Sequence, residues 1–214
     1  MRKGIVATLA LLLGATGVGA QEGEGLAAYD YENLGVRGIA GEVFVVYPND
    51  IESAVGFGGR LDLGFLGNSL RTQLRGGYWS SRLKQAEVDK FADRIADLVE
   101  DQNGPPRPTI DLGVIERSAA IAGLDFQWLF NVTSPLRPYA GLGAELYVLS
   151  GSGDAIDGTF VESSLDLLTV GASAIGGLEY GLGSVLVLFA EGRASLAADI
   201  RSVSLSGGLA IQWN

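Results

Sequence analysis

Eleven charged residues stand where type and spacing could do chemistry. Glu42, Asp62, Asp125, Glu145, Glu179 and Glu191 supply six carboxylates, and Arg60, Arg71, Arg75, Arg117 and Arg193 supply five guanidinium groups. All lie in runs of alternating apolar and polar residues, on the polar parity. Paired acids such as Glu179 and Glu191, or Asp62 and Asp125, have the residue types of a glycosidase acid and base. The arginines already account for them in another way. A planar guanidinium fork bonds two carboxylates at once, so nearly equal numbers of both signs suit a salt-bridged, hydrogen-bonded interior. A narrow ion path lined by the same groups is a third use.

Composition removes most other chemistry. The 214 residues include no cysteine and no histidine, which excludes thiol nucleophiles, disulfides, Ser-His-Asp triads and His- or Cys-ligated zinc. No enzyme activity, cofactor or metal site is expected. Arg2 and Lys3, the apolar run Ile5 to Leu13 and the small residues Val18-Gly-Ala20 read as a signal peptide over residues 1–20. Its removal leaves 13 basic against 25 acidic residues, a net −12, which argues against nucleic-acid binding.

Alternating segments must position the charged groups. The last, Arg201 to Asn214, sets Val203, Leu205, Leu209, Ile211 and Trp213 against Ser202, Ser204, Ser206 and Gln212. Seven more precede it: Arg37–Tyr47, Ala54–Leu66, Leu70–Trp79, Asp111–Phe130, Tyr139–Leu149, Leu167–Gly181 and Val185–Leu196. Residues 21–36 read as an exposed lead-in. The connectors alternate: Gly67-Asn68, Asn131 to Pro138 and Leu182 to Ser184 belong to one end. Residues 81–110 and 150–166, with two short links, belong to the other. Turns at one end and longer loops at the other, with an even strand count, describe an all-β, eight-stranded antiparallel up-and-down transmembrane β-barrel. Eight strands enclose a lumen just wide enough for side chains to fill it.

The opposite face is free of charge through the middle of each segment. That is informative, because a charge facing mid-membrane costs about 2–4 kcal/mol. Phe65, Phe126, Trp128, Phe130, Tyr180 and Trp213 toward the turns, with Tyr47 and Tyr78 toward the loops, would form aromatic girdles. In the long loop, Val88, Phe91, Ile95, Leu98 and Val99 predict a short amphipathic helix over Ala86–Glu100, ended by Asn103-Gly-Pro-Pro106 and packed on the barrel rim. The loop Gly151–Asp166 carries Asp154, Asp157, Glu162 and Asp166, which could collect divalent cations but match no EF-hand spacing.

The signal peptide, the run Arg137-Pro-Tyr-Ala-Gly-Leu-Gly-Ala-Glu-Leu-Tyr147 and the terminal strand ending in an aromatic carry a resemblance to a known family. Over residues 37–214 the chain resembles the small eight-stranded outer-membrane β-barrels of Gram-negative-type bacteria, the porin-like group that includes the OmpA transmembrane domain. The resemblance implies residence in the cell outer membrane, contact with its lipid, and assembly by the barrel-assembly machinery through the C-terminal strand. That family usually ends on the aromatic itself; here Asn214 follows Trp213. The expected role is structural or through the external loops, whose partner the residues do not identify. A narrow porin for small solutes or ions is one alternative. A soluble lipocalin-like carrier, with the faces inverted, is the other.

Overall fold

The computed structural model describes residues 33–66, 69–130, 132, 134–154, 156–159, 165–198 and 200–213. The signal-peptide segment, residues 21–32 of the lead-in, the Gly67-Asn68 turn, Asn131, Glu162 and Asn214 lie outside them.

The elements run β1 (Leu34–Pro48), β2 (Ala54–Leu66), β3 (Leu70–Arg82), α1 (Gln85–Asn103), β4 (Glu116–Leu129), β5 (Leu136–Ser152), β6 (Leu167–Leu182), β7 (Leu186–Ala197) and β8 (Arg201–Gln212). Every strand pairs antiparallel with its sequence neighbours, and β1 pairs with β8, closing an eight-stranded up-and-down barrel. Closure leaves no unpaired sheet edge around the wall. Loops β1–β2, β3–β4, β5–β6 and β7–β8 share one end, the loop end; the remaining connections and the entry to β1 lie at the turn end.

Alternation sets the two faces. Along β8, Val203, Leu205, Leu209 and Ile211 are exposed on the outside, whereas Ser202, Ser204 and Ser206 turn inward and are buried or half-buried. The same parity repeats around the wall, with Val55, Phe57, Leu142 and Val170 all outward and more than 60% exposed. Among the described residues, charges on the outward parity lie near strand ends: Arg82, Glu116 and Arg201 at the loop-end termini, and Arg37 in the first turn-end residues of β1. A lipocalin has these faces reversed, so that alternative does not describe this barrel.

Several elements depart from the sequence expectation: β3 runs on past Trp79 to Arg82, and β5 spans Leu136–Ser152 rather than Tyr139–Leu149. β1 starts at Leu34 and takes in the end of the predicted lead-in. β4 starts at Glu116 rather than Asp111, because Gly113 at φ 61° turns the chain and its N–H bonds Asp111 Oδ1 at 3.0 Å. Leu112 and Ile115 are thereby buried against Val88 and Ile156 above the barrel. The helix buries Val88 and Ala96 and packs Phe91 and Ile95 on that cluster, but Leu98, expected in the stripe, is 59% exposed. The true stripe advances by 3 or 4 residues through Ala92 and Ala96, which leaves Leu98 about 100° off it. The helix therefore rests on other loop residues, not on the rim strands. Backbone bonds tie this cap together: Leu83 N–H to Ile115 O at 2.9 Å, Glu52 N–H to Arg82 O at 2.9 Å and Lys84 N–H to Asp50 O at 3.2 Å.

Candidate functional site: a closed ring of ion pairs in the lumen

Inward parity brings ten of the eleven predicted charges into the barrel, each no more than 6% exposed. Six of them close on one another. Arg60 pairs with Glu42; Glu42 Oε1 lies 2.6 Å from Arg75 Nε; Arg75 Nη1 lies 3.8 Å from Glu145. Glu145 lies 3.0 Å from Arg193 Nη1, Arg193 Nη2 3.1 Å from Glu191, and Glu191 2.7 Å from Arg60 Nη1. Positive and negative groups alternate around this circuit. Asp125 joins it from β4 as a bidentate partner of Arg193, at 3.0 and 2.5 Å.

A second group lies toward the turn end. Arg71 Nη2 pairs with Glu179 at 2.5 Å and donates to Gln127 Oε1 at 2.6 Å, while Arg137 reaches Glu179 at 3.4 Å. Gln127 Nε2 in turn donates to Glu191 at 3.4 Å, linking the two groups. Asp62 is buried here and accepts from the Gly64 N–H at 2.8 Å. The acids imagined as glycosidase pairs are engaged otherwise: Glu179 and Glu191 by arginines, Asp125 by Arg193, and Asp62 by backbone. Arg117 is the exception among the predicted charges. It is half-buried at the loop end, lining a small rim pocket with Asp50, Ile51, Leu83 and Ile200. Its position in β4, only one residue from the strand's loop-end start, puts it above the ring.

Aromatic side chains complete the lumen, and these the sequence reading missed. Phe44, Tyr139, Tyr147 and Phe189 all point inward and are buried. The guanidinium of Arg75 lies 5.1 Å from the centre of the Phe44 ring, that of Arg60 4.4 Å from Phe189, and that of Arg71 5.5 Å from Tyr139. A desolvated contact of this kind is worth roughly 2 kcal/mol. Each of the three rings lies on a glycine of the adjacent strand, its direct cross-strand partner: Phe44 on Gly56, Tyr139 on Gly177, Phe189 on Gly208. A Cβ at Gly56 or Gly177 would come within 2.4 Å of the ring, and at Gly208 within 2.5 Å. Glycine, ring, guanidinium and carboxylate thus stack in the same order three times. Arg193 has no ring; Gly143 makes room for it instead, since a Cβ there would meet Asp125 Oδ1 at 2.3 Å. The signal was present: Phe44 stands two residues after Glu42, Phe189 two before Glu191 and Tyr147 two after Glu145, all on the charged parity. Tyr139 donates to Glu191 at 2.9 Å and Tyr147 to Glu145 at 2.7 Å, so their hydroxyls are also spent on the network.

Apolar layers cover the charges at both ends. On the loop side Phe44, Val46, Trp79, Ile121, Tyr147 and Leu149 form one cluster. On the turn side Leu129, Tyr139 and Ile175 form another, with Phe65 packed against it. Phe65 was expected in the outer girdle. A bulge between Asp62 and Phe65, with Gly64 at φ 87°, inserts a residue and reverses the parity, so Phe65 pairs opposite inward Arg71. The other predicted girdle residues, Tyr47, Tyr78, Phe126, Trp128, Phe130, Tyr180 and Trp213, are all exposed. Trp213 also donates from Nε1 to the Val36 carbonyl at 2.9 Å, fastening the end of the chain to β1. In the β5–β6 loop, no group of three or more acidic side chains able to hold a metal occurs among the described residues.

A closed barrel with an apolar, charge-free outer band and a charged, side-chain-filled lumen defines the class of small transmembrane β-barrels. Comparison with protein-family models and with curated proteins finds no match to the chain. Solved structures do match in fold. Neisserial surface protein A is similar at 17% identity and a TM-score of 0.52, over 82% of this chain and 96% of that one. Ail, the attachment invasion locus protein of Yersinia pestis, aligns at 10% identity and a TM-score of 0.51, over 84% and 100%. The N-terminal β-barrel domain of Pseudomonas aeruginosa OprF aligns at 14% identity and a TM-score of 0.50, over 84% and 99%. The fold is that of the small eight-stranded outer-membrane β-barrels.

Proposed function

We propose that this protein resides in the cell outer membrane as a closed barrel, and that it acts structurally and through the surface its loop end presents. In this reading the signal peptide of residues 1–20 is cleaved on export. The C-terminal strand is read by the barrel-assembly machinery, and the outer face contacts lipid. The closed ion-pair circuit carries the proposal. A conducting lumen needs a continuous wet path, whereas here guanidinium and carboxylate groups bond one another across the interior, with apolar layers beyond them at both ends. Helix α1 and the segment that packs it would then form a folded external platform rather than a gate. No catalytic role is assigned to the lumen acids.

Planar-bilayer recording of the folded protein tests this. The expected result is the absence of steady single-channel steps, with the same sample shown folded by slower or faster migration when unboiled. Reproducible conductance from that sample would replace the closed-barrel reading with the narrow porin.

A further inference from the structure

At the loop end the wall has a step. β7 stops at Ala197, paired with Gly171, whereas β6 runs on to Leu167 and pairs there only with β5. Alternate residues of an antiparallel strand turn their N–H and C=O groups to opposite sides, so part of Leu167–Val170 presents backbone donors to the step. No strand among the described residues receives them. Beside the step, on the outer face, lies an open groove of about 590 Å³ with Val170, Ala172, Leu196 and Arg201 in its lining.

The wall stays low below this groove. Register sets Ala174 opposite Ala194 and Gly176 opposite Gly192, all turned outward. A Cβ added at Gly176 would meet nothing within 4 Å. Taller side chains flank this floor: Leu142 beside Ala174, Val203 beside Ala194 and Leu205 beside Gly192, each more than 50% exposed. Leu178 and Leu188 close it toward the turn end. From Ala172 to Gly176 is about 13 Å along the strand, about half of a ~25 Å apolar band.

Charge marks the head of the groove. Of the outward charges at the loop end, Arg82 and Glu116 stand directly opposite each other. Arg201 stands opposite Leu196 instead and forms no ion pair among the described residues. Asp50 and Arg117, which share a small rim pocket with it, offset one another.

We propose that the groove holds one phosphate-bearing lipid of net negative charge from the outer leaflet. Its phosphate sits on Arg201 and the free edge of β6, and one acyl chain lies over Ala174 and Gly176. The guanidinium fork and the backbone donors both suit phosphate oxygens. A floor one leaflet deep fits an acyl chain, whereas a second barrel would call for a low face across the whole band. The inference rests on the membrane residence proposed above.

The test folds the full chain into vesicles of equal parts phosphatidylcholine and phosphatidylglycerol, extracts it in mild detergent and weighs it by native mass spectrometry. One retained phosphatidylglycerol per barrel is expected, favoured about tenfold over phosphatidylcholine. Arg201→Gln should remove that preference. Gly176→Leu and Ala174→Leu fill the floor and should each reduce retention of both lipids. A preference that survives Arg201→Gln, or retention unchanged in both floor variants, would overturn the site. So would a lipid-free mass of two copies that Gly176→Leu abolishes, which would assign the groove to a second barrel. Equal retention of the two lipids by a barrel that has entered the vesicles would overturn the site alone. A chain that never enters them, read by flotation, would overturn membrane residence as well.

Discussion

Removing Arg193 is the sharpest perturbation of the lumen. Its two terminal nitrogens reach Asp125 at 3.0 and 2.5 Å, Glu145 at 3.0 Å, Ser173 at 3.0 Å and Glu191 at 3.1 Å. Arg193→Met keeps most of the volume and removes every one of these bonds. The circuit plus Asp125 holds three arginines and four acids, a formal −1; without Arg193 it becomes −2. Stranding buried carboxylates in this way typically costs about 3–5 kcal/mol. For a chain of this size that lowers the melting midpoint by about 10 °C. Arg193→Lys keeps the charge but not the fork that grips Asp125, so about half that loss is expected. Asp125→Asn should cost less than Arg193→Met, because it restores three against three. Combined with Arg193→Met it should give a coupling of about 1–3 kcal/mol. Urea titrations of the folded protein in detergent, followed by tryptophan fluorescence, measure all four variants. Arg193→Met unfolding together with wild type, or strictly additive costs with Asp125→Asn, would refute the circuit as a source of stability.

Two further outcomes follow from packing. Gly56→Ala places a methyl 2.4 Å from the Phe44 ring and should destabilise the barrel by about 1–3 kcal/mol, part of it recovered in the double variant with Phe44→Leu; the same urea titration reads it, and a Gly56→Ala barrel as stable as wild type would count against the stacked arrangement. Leu209→Arg puts a charge on the outer band where Leu209 is 43% exposed, and should impair insertion into lipid vesicles by about 2–4 kcal/mol. Ser206→Ala loses only a 3.3 Å bond from Arg60 and should insert normally; equal yields of the two would contradict the assigned faces.

The wall was legible because a strand's two-residue period is fixed by backbone geometry and one side of this wall admits no charge. β2 therefore runs Ala54–Leu66 in both the pattern and the structure. Where the backbone breaks the period, the pattern misleads. Gly64 at φ 87° sends Phe65 inward, and nothing in Leu61, Leu63, Phe65 announces it. Gly113 makes β4 start late for the same kind of reason: a left-handed glycine inside an apolar run looks like any other strand residue until its φ is known. Inward parity could say which charges share the lumen but not which touch, since partners such as Arg60 and Glu191 are 131 residues apart. Their meeting depends on barrel stagger, which the connectors leave open. The rings on glycines were hidden differently: each half of the pair reads as ordinary until the strand register sets Phe44 beside Gly56.

The circuit also changes what holds the wall together. Backbone ladders join each strand only to its neighbours, and the outer face gains little from packing on lipid, which is as apolar as the side chains it meets. Cross-lumen bonds supply what the ladders cannot. Arg60 on β2 reaches Glu42 on β1, Glu191 on β7 and Ser206 on β8; Arg75 on β3 reaches Glu42 and Glu145 on β5; Arg193 on β7 reaches Asp125 on β4, Glu145, and Ser173 on β6. Three arginines thus touch all eight strands, sharing acceptors so that no one of them can move without unbonding another. Lysine could carry the same charge but has no fork with which to hold two strands in a set direction. A lumen tied this way resists both flattening of the barrel and entry of water. That rigidity is what an anchor for an external platform requires, and it is what a pore for solutes would have to give up.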